Sequence, residues 1–110
     1  MSSLDLKIRE DGGEVVVACS GWLVAGVTGV LYGEVKPLLG RDRRVVLDLT
    51  DLTKMDSMGL GTIVRLYASA RSASCDFELI NLSARVRELF GITGLLSILG
   101  ECGEHRTRMP

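Results

Sequence analysis

Leu4, Leu6 and Ile8 alternate with Asp5, Lys7 and Arg9 at the start of the chain, the period-two pattern of a strand with one buried face. Asp11-Gly12-Gly13 reads as a turn, because glycine takes positive φ at little steric cost. Glu14 to Ser20 is a β-branched run, EVVVACS, so the first two strands are expected to form a hairpin. Gly21-Trp22-Leu23-Val24 leads out of it. From about Thr28 to Leu39 the apolar residues Val30, Leu31, Val35, Leu38 and Leu39 fall at helical spacing. Gly29 and Gly33 weaken that helix, each by up to about 1 kcal/mol relative to alanine. A charged loop, Gly40 to Arg44, then precedes the β-branched run RVVLDL, Arg44 to Leu49, which is the best candidate for a central strand.

Thr50 to Asp56 reads as a loop. A helix is expected from about Met58 to Ala73, with Leu60, Ile63, Val64, Tyr67 and Ala70 on its apolar face. Asp76 to Asn81 alternates as a strand. Ser83 is placed to cap a short helix carrying Val86, Leu89 and Phe90, with Gly91 to end it. A last short strand is expected in Leu95 to Leu99, and residues 101–110 read as a polar, frayed tail. The order β-β-α-β-α-β-α-β is that of an α/β sheet whose central strands run parallel, joined by helical crossovers.

The 110 residues suffice for one domain, placed at 1–100, that buries roughly 65% of the surface of its unfolded chain. A net charge of −1 gives no electrostatic footprint for nucleic acid or an anionic membrane, and the scarcity of aromatic residues disfavours a base-stacking platform. Cys19, Cys75 and Cys102 are odd in number and widely spaced, so reduced thiols in a cytoplasmic protein are the simplest reading. The N-terminus resembles neither a signal peptide nor a membrane span. Strand edges permit a monomer or a weak dimer.

The stretch KMDSMGLG, Lys54 to Gly61, places Ser57 at the junction of a loop and a helix. Three roles are open to it. Asp56 or Ser57 caps the helix, a role typically worth about 1 kcal/mol. A nucleophile is poorly supported: G-x-S-x-G is not met, the one histidine, His105, lies in the polar tail, and Lys54 diverges from Ser57 on an extended backbone. No catalytic residue is therefore assigned. Asp48, Asp51 and Asp56 lack a His or Glu to complete a metal set, and G-x-x-x-x-G-K-[ST] is absent, so no metal or cofactor is expected. The third role is modification: a phosphate adds about −1.5 to −2 charges at a helix end that tolerates an anion.

The residues Val45-Val46-Leu47-Asp48-Leu49, Asp51-Leu52 and Met55-Asp56-Ser57-Met58-Gly59-Leu60 resemble the core signature of STAS domains, and more narrowly of bacterial anti-sigma factor antagonists. The likeness continues through Phe77-Glu78-Leu79, Val86 to Phe90 and Thr93-Gly94-Leu95. It implies a four- to five-stranded mixed sheet with helices packed mainly on one face. It also implies that Ser57 is phosphorylated by an anti-sigma factor that is itself a serine kinase. Unphosphorylated, such an antagonist binds the anti-sigma factor and frees the sigma factor; a serine phosphatase resets the phosphorylated form, and ATP belongs to the kinase. Asp56 matches the acidic residue beside the phosphosite. Where the family usually shows G-x-L-D, this chain has Gly21-Trp22-Leu23-Val24, so Trp22 and Val24 make that surface more apolar, as suits a binding face. The partner-binding set is thus Asp56, Ser57, Met58, Gly59, Trp22 and Val24. The usual final helix has no counterpart in residues 100–110. The alternative within the family is a subunit bound to the ATPase of a lipid-transporting ABC complex.

Overall fold

The computed structural model describes residues 3–84, 86–88, 100–101 and 106–108. Strands β1 (Leu4–Asp11) and β2 (Glu14–Leu23) form the expected antiparallel hairpin. Helix α1 (Thr28–Val35) runs into a 3-10 turn at Lys36–Leu38, then β3 (Arg44–Met55), α2 (Ser57–Ser72) and β4 (Asp76–Ile80) follow. Two short strands, β5 (Gly100–Glu101) and β6 (Arg106–Arg108), complete the described sheet in the order β1-β2-β3-β4-β6-β5. The pairs β2–β3 and β3–β4 are parallel, as two helical crossovers require. β6 pairs antiparallel with β4, so part of the expected tail lies in the sheet. The strand expected at 95–99 and the positions Leu89, Phe90, Gly91 and Cys102 lie outside the described residues. Ser83 does cap a helical turn: its Oγ accepts from the Val86 N–H at 3.2 Å.

One face of the sheet holds the core. Val15, Val17 and Cys19 of β2, Val45, Leu47 and Leu49 of β3, and Phe77 and Leu79 of β4 pack against Leu31 and Val35 of α1 and Leu60, Ile63, Leu66 and Ala70 of α2. Val86 joins the same cluster, so the helices sit on one side. Burial, with the negative charge of Asp48 adding to it, pushes the Cys19 thiol up to about 12. The buried face of α2 is rotated from the expected one: Leu66 is fully buried, while Val64 and Tyr67 are only half-buried. Glu78, between the core residues Phe77 and Leu79, is also fully buried on β4, with Arg44 3.8 Å away and the same guanidinium 3.7 Å from Glu14.

The larger correction concerns Thr50 to Asp56. It is not a loop, because β3 continues to Met55. Its register with β2 slips twice: Ala18 faces Asp48 but Ser20 faces Asp51, and Gly21 faces Leu52 but Trp22 faces Lys54. Each slip inserts one extra residue on β3, a pair of bulges that turns the alternation of buried residues into the three-residue spacing Leu49, Leu52, Met55. At the first bulge Asp48 Oδ1 accepts from the Thr50 N–H and hydroxyl and from Asn81 Nδ2. Partial burial raises the Asp48 pKa, but these hydrogen bonds outweigh it and hold the carboxyl below its ordinary value.

Candidate functional site

The bulged end of β3 delivers Asp56 to the start of α2, and Asp56 rather than Ser57 is the cap. Its backbone is extended, at φ −109° and ψ −175°, and its Oδ1 accepts from the Gly59 N–H at 2.9 Å. Its Oδ2 accepts from the Ala25 N–H at 3.0 Å, across 31 residues of sequence. One carboxylate thus ties the loop after β2 to the first turn of α2. These two bonds, that from Ala25 first, hold its pKa below the usual aspartate range. The Asp56 N–H in turn donates to the Leu23 carbonyl at 3.4 Å.

Gly59 explains how closely the two segments meet. A Cβ built there would collide with the Leu23 carbonyl oxygen and lie 2.9 Å from Leu23 Cγ and 3.0 Å from Met55 Cγ. Only hydrogen fits. Gly59 is buried, so its contribution is to let α2 settle on β2, not to offer a surface of its own.

With Asp56 inside the cap, Ser57 becomes the first residue of α2 and is exposed. Met58 beside it is 58% exposed and Trp22 is 48% exposed, while Val24 is half-buried. Large apolar side chains in the open are the feature to notice on a small domain. Trp22 is not alone: the Lys54 ammonium lies 5.0 Å from its ring centroid, a cation–π contact set by their pairing across β2 and β3. The structure therefore gathers Trp22, Val24, Asp56, Ser57, Met58 and Gly59 at one end of the sheet, and adds Lys54 and the Ala25 amide. Ala25 carries no side-chain signal. Lys54 is visible as Trp22's neighbour only once both bulges are counted into the register.

Among the described residues no group of His, Cys, Asp or Glu is arranged to hold a metal ion. No described helix is long and apolar enough to cross a membrane. His105 lies outside the described residues. What the site presents is an uncharged hydroxyl at a helix N-terminus, framed by apolar side chains and a carboxylate already committed to backbone amides.

The STAS domain family model matches residues 5–107. This chain belongs to the STAS domain family. Over 97 residues this STAS domain is 28% identical to the anti-sigma-B factor antagonist of Bacillus subtilis, a match covering 88% of this chain and 89% of that protein. A shorter match to the anti-sigma-B factor antagonist of Listeria monocytogenes is 43% identical over 53 residues, about half of either chain (48% and 46%). Among solved structures, an anti-sigma factor antagonist from Mycobacterium paratuberculosis superposes with a TM-score of 0.76 at 20% identity, covering 86% of this STAS domain and 81% of that chain. The Bacillus cell fate determinant SpoIIAA in its phosphorylated form gives 0.66 at 18% identity, covering 83% and 85%. The last two establish the fold. Its mixed sheet with helices on one face is the one expected, with short β5 and β6 added beyond β4.

Proposed function

We propose that this STAS domain is an anti-sigma factor antagonist whose capture of its partner is switched off by phosphorylation of Ser57. In the unphosphorylated state the face built by Trp22, Val24, Ser57 and Met58 binds an anti-sigma factor that is also a serine kinase, and the sigma factor is released. The kinase brings ATP. Ser57 Oγ forms the new P–O bond to the γ-phosphoryl group, the bond to ADP breaks, and the hydroxyl proton leaves to a base of the kinase. A serine phosphatase hydrolyses the ester and restores capture. The domain has no chemistry of its own in this reading and works in the cytoplasm.

The observation that carries the reading is the exposed Ser57 at the first position of α2, directly after the Asp56 cap and beside exposed Met58. The curated relatives named anti-sigma-B factor antagonists support it. The N-terminal end of α2 favours added negative charge, and the cap bonds do not involve Ser57 Oγ, so the phosphate leaves the fold in place. What changes is the interface, where the exposed surface beside Met58 acquires a dianion next to Asp56. Desolvating that charge without a partner opposes binding.

The test uses wild type, Ser57→Ala and Ser57→Asp as paired baits in cytosol of the source organism, followed by titration of the captured protein. Wild type and Ser57→Ala are expected to hold a small kinase-fold anti-sigma factor. Ser57→Asp should bind it at least tenfold more weakly, about 1.4 kcal/mol, with unchanged circular dichroism. With ATP present, wild type gains one phosphate and Ser57→Ala none. Equal binding by all three, or equal phosphorylation of Ser57→Ala, overturns the proposal.

A further inference from the structure

Two exposed cations on either side of Ser57 in the sequence each rest on an aromatic ring. Lys54 lies on Trp22, and the Arg65 guanidinium carbon of α2 is 4.3 Å from the ring centroid of Tyr32 on α1. Tyr32 is itself tied to α2: a hydrogen bond with Ser69, ahead of the positive charges of Lys36 and Arg65, holds its pKa below the ordinary tyrosine value. Among the described residues neither Lys54 nor Arg65 has a carboxylate at ion-pair distance, whereas Arg43 and Arg44 do. A cation already held on a ring loses little further freedom when an anion reaches it.

Met58, Gly61 and Arg65 share one face of α2, at positions i, i+3 and i+7, and all three are exposed. Met58 and Arg65 stand about 10 Å apart along the axis, with Gly61 between them. A Cβ built on Gly61 would meet nothing within 4 Å. The contrast with Gly59 is informative. Leu23 and Met55 require a glycine at 59, but no atom of the domain requires one at 61, where glycine weakens the helix. The need lies outside the domain: a shallow floor between a methionine and an arginine lets another protein's backbone come close. The free charges bordering this strip are positive, because the Asp56 carboxylate is committed to the Gly59 and Ala25 amides.

We infer that the docking face continues two turns along α2 to Arg65, and that it receives an acidic segment of the anti-sigma factor. A partner carboxylate pairs with Arg65, the partner backbone crosses Gly61, and further negative charge faces Lys54. This rests on the reading of the chain as a phosphorylation-controlled antagonist, and it gives the switch its sign. About two negative charges on Ser57 offset the two cations and leave Asp56 in excess, so a strip that attracts an acidic partner comes to repel it.

The test titrates the protein captured by wild type onto wild type, Arg65→Lys, Arg65→Glu, Lys54→Glu and Gly61→Gln, in low and in high salt. Circular dichroism checks each fold. Wild-type binding should weaken with salt, and Arg65→Glu and Lys54→Glu should each raise Kd about tenfold in low salt and flatten the salt dependence. Arg65→Lys, which keeps the charge, should stay within about threefold of wild type. Gly61→Gln should raise Kd about tenfold and also raise the thermal midpoint, a combination that a damaged fold does not produce. Suppose that Ser57→Asp releases the captured protein, while binding ignores salt, or Arg65→Glu or Gly61→Gln binds as wild type does. The inference then fails and the antagonist reading stands. If wild type holds nothing that Ser57→Asp releases, both fail.

Discussion

Asp56 performs two tasks with one carboxylate, and neither is catalytic. Its bonds to Gly59 and Ala25 fix where Ser57 emerges, which makes it a positioning residue for whatever docks there. Because the native pKa is depressed, its stabilisation is fully present above the ordinary aspartate value, about 3.9, and is lost as pH falls through the lower native value. Urea unfolding of wild type and Asp56→Asn between pH 2 and about 7 should show a shallower acid-side decline in the variant. Asp56→Ala should cost about 1 kcal/mol at neutral pH, the usual worth of a cap. The cap itself was only half legible in the sequence, where Asp56 and Ser57 are chemically equivalent candidates. What separates them is the Ala25 amide, brought in by tertiary structure from the end of another strand.

At the scale of elements, the bulged second half of β3 is what places the site. Residues 45–49 announce a strand by their β-branched, apolar run, and the structure agrees. Residues 50–55 do not, since two inserted residues convert a period of two into a period of three, and the charged Asp51 and Lys54 then resemble loop composition. Burial recovers the pattern. Leu52 is 2% exposed beneath Gly21 of β2, whereas Thr53 beside it is exposed and donates its hydroxyl to the Gly21 carbonyl. Leu52→Ala should therefore destabilise the domain by about 2–5 kcal/mol, against about 1 kcal/mol for Thr53→Ala, measured as shifts in the urea midpoint at constant m-value. Equal small shifts would mean that the bulged segment is a loop after all. The helix α2 was plainer to read, and its error was one of rotation: Val64 and Tyr67 satisfied the helical period, but Leu66 is the residue that faces the sheet.

Across the whole molecule, the site lies beyond the carboxyl ends of two adjacent parallel strands, β2 and β3, where the chain leaves the sheet towards α1 and α2. Open α/β sheets generally place their binding sites at such ends, and that much follows from the β-α-β order of the sequence. The position of the only tryptophan in the chain has an optical consequence. Trp22 is half in water, with the Lys54 ammonium on its ring, at the rim of the face proposed for the partner. Its fluorescence is a built-in reporter needing no label. Docking of a protein over the indole removes water from it, so the emission maximum should move to shorter wavelength as the partner is added and return when Ser57 is phosphorylated. An emission spectrum that ignores a bound partner would place the docking face away from Trp22.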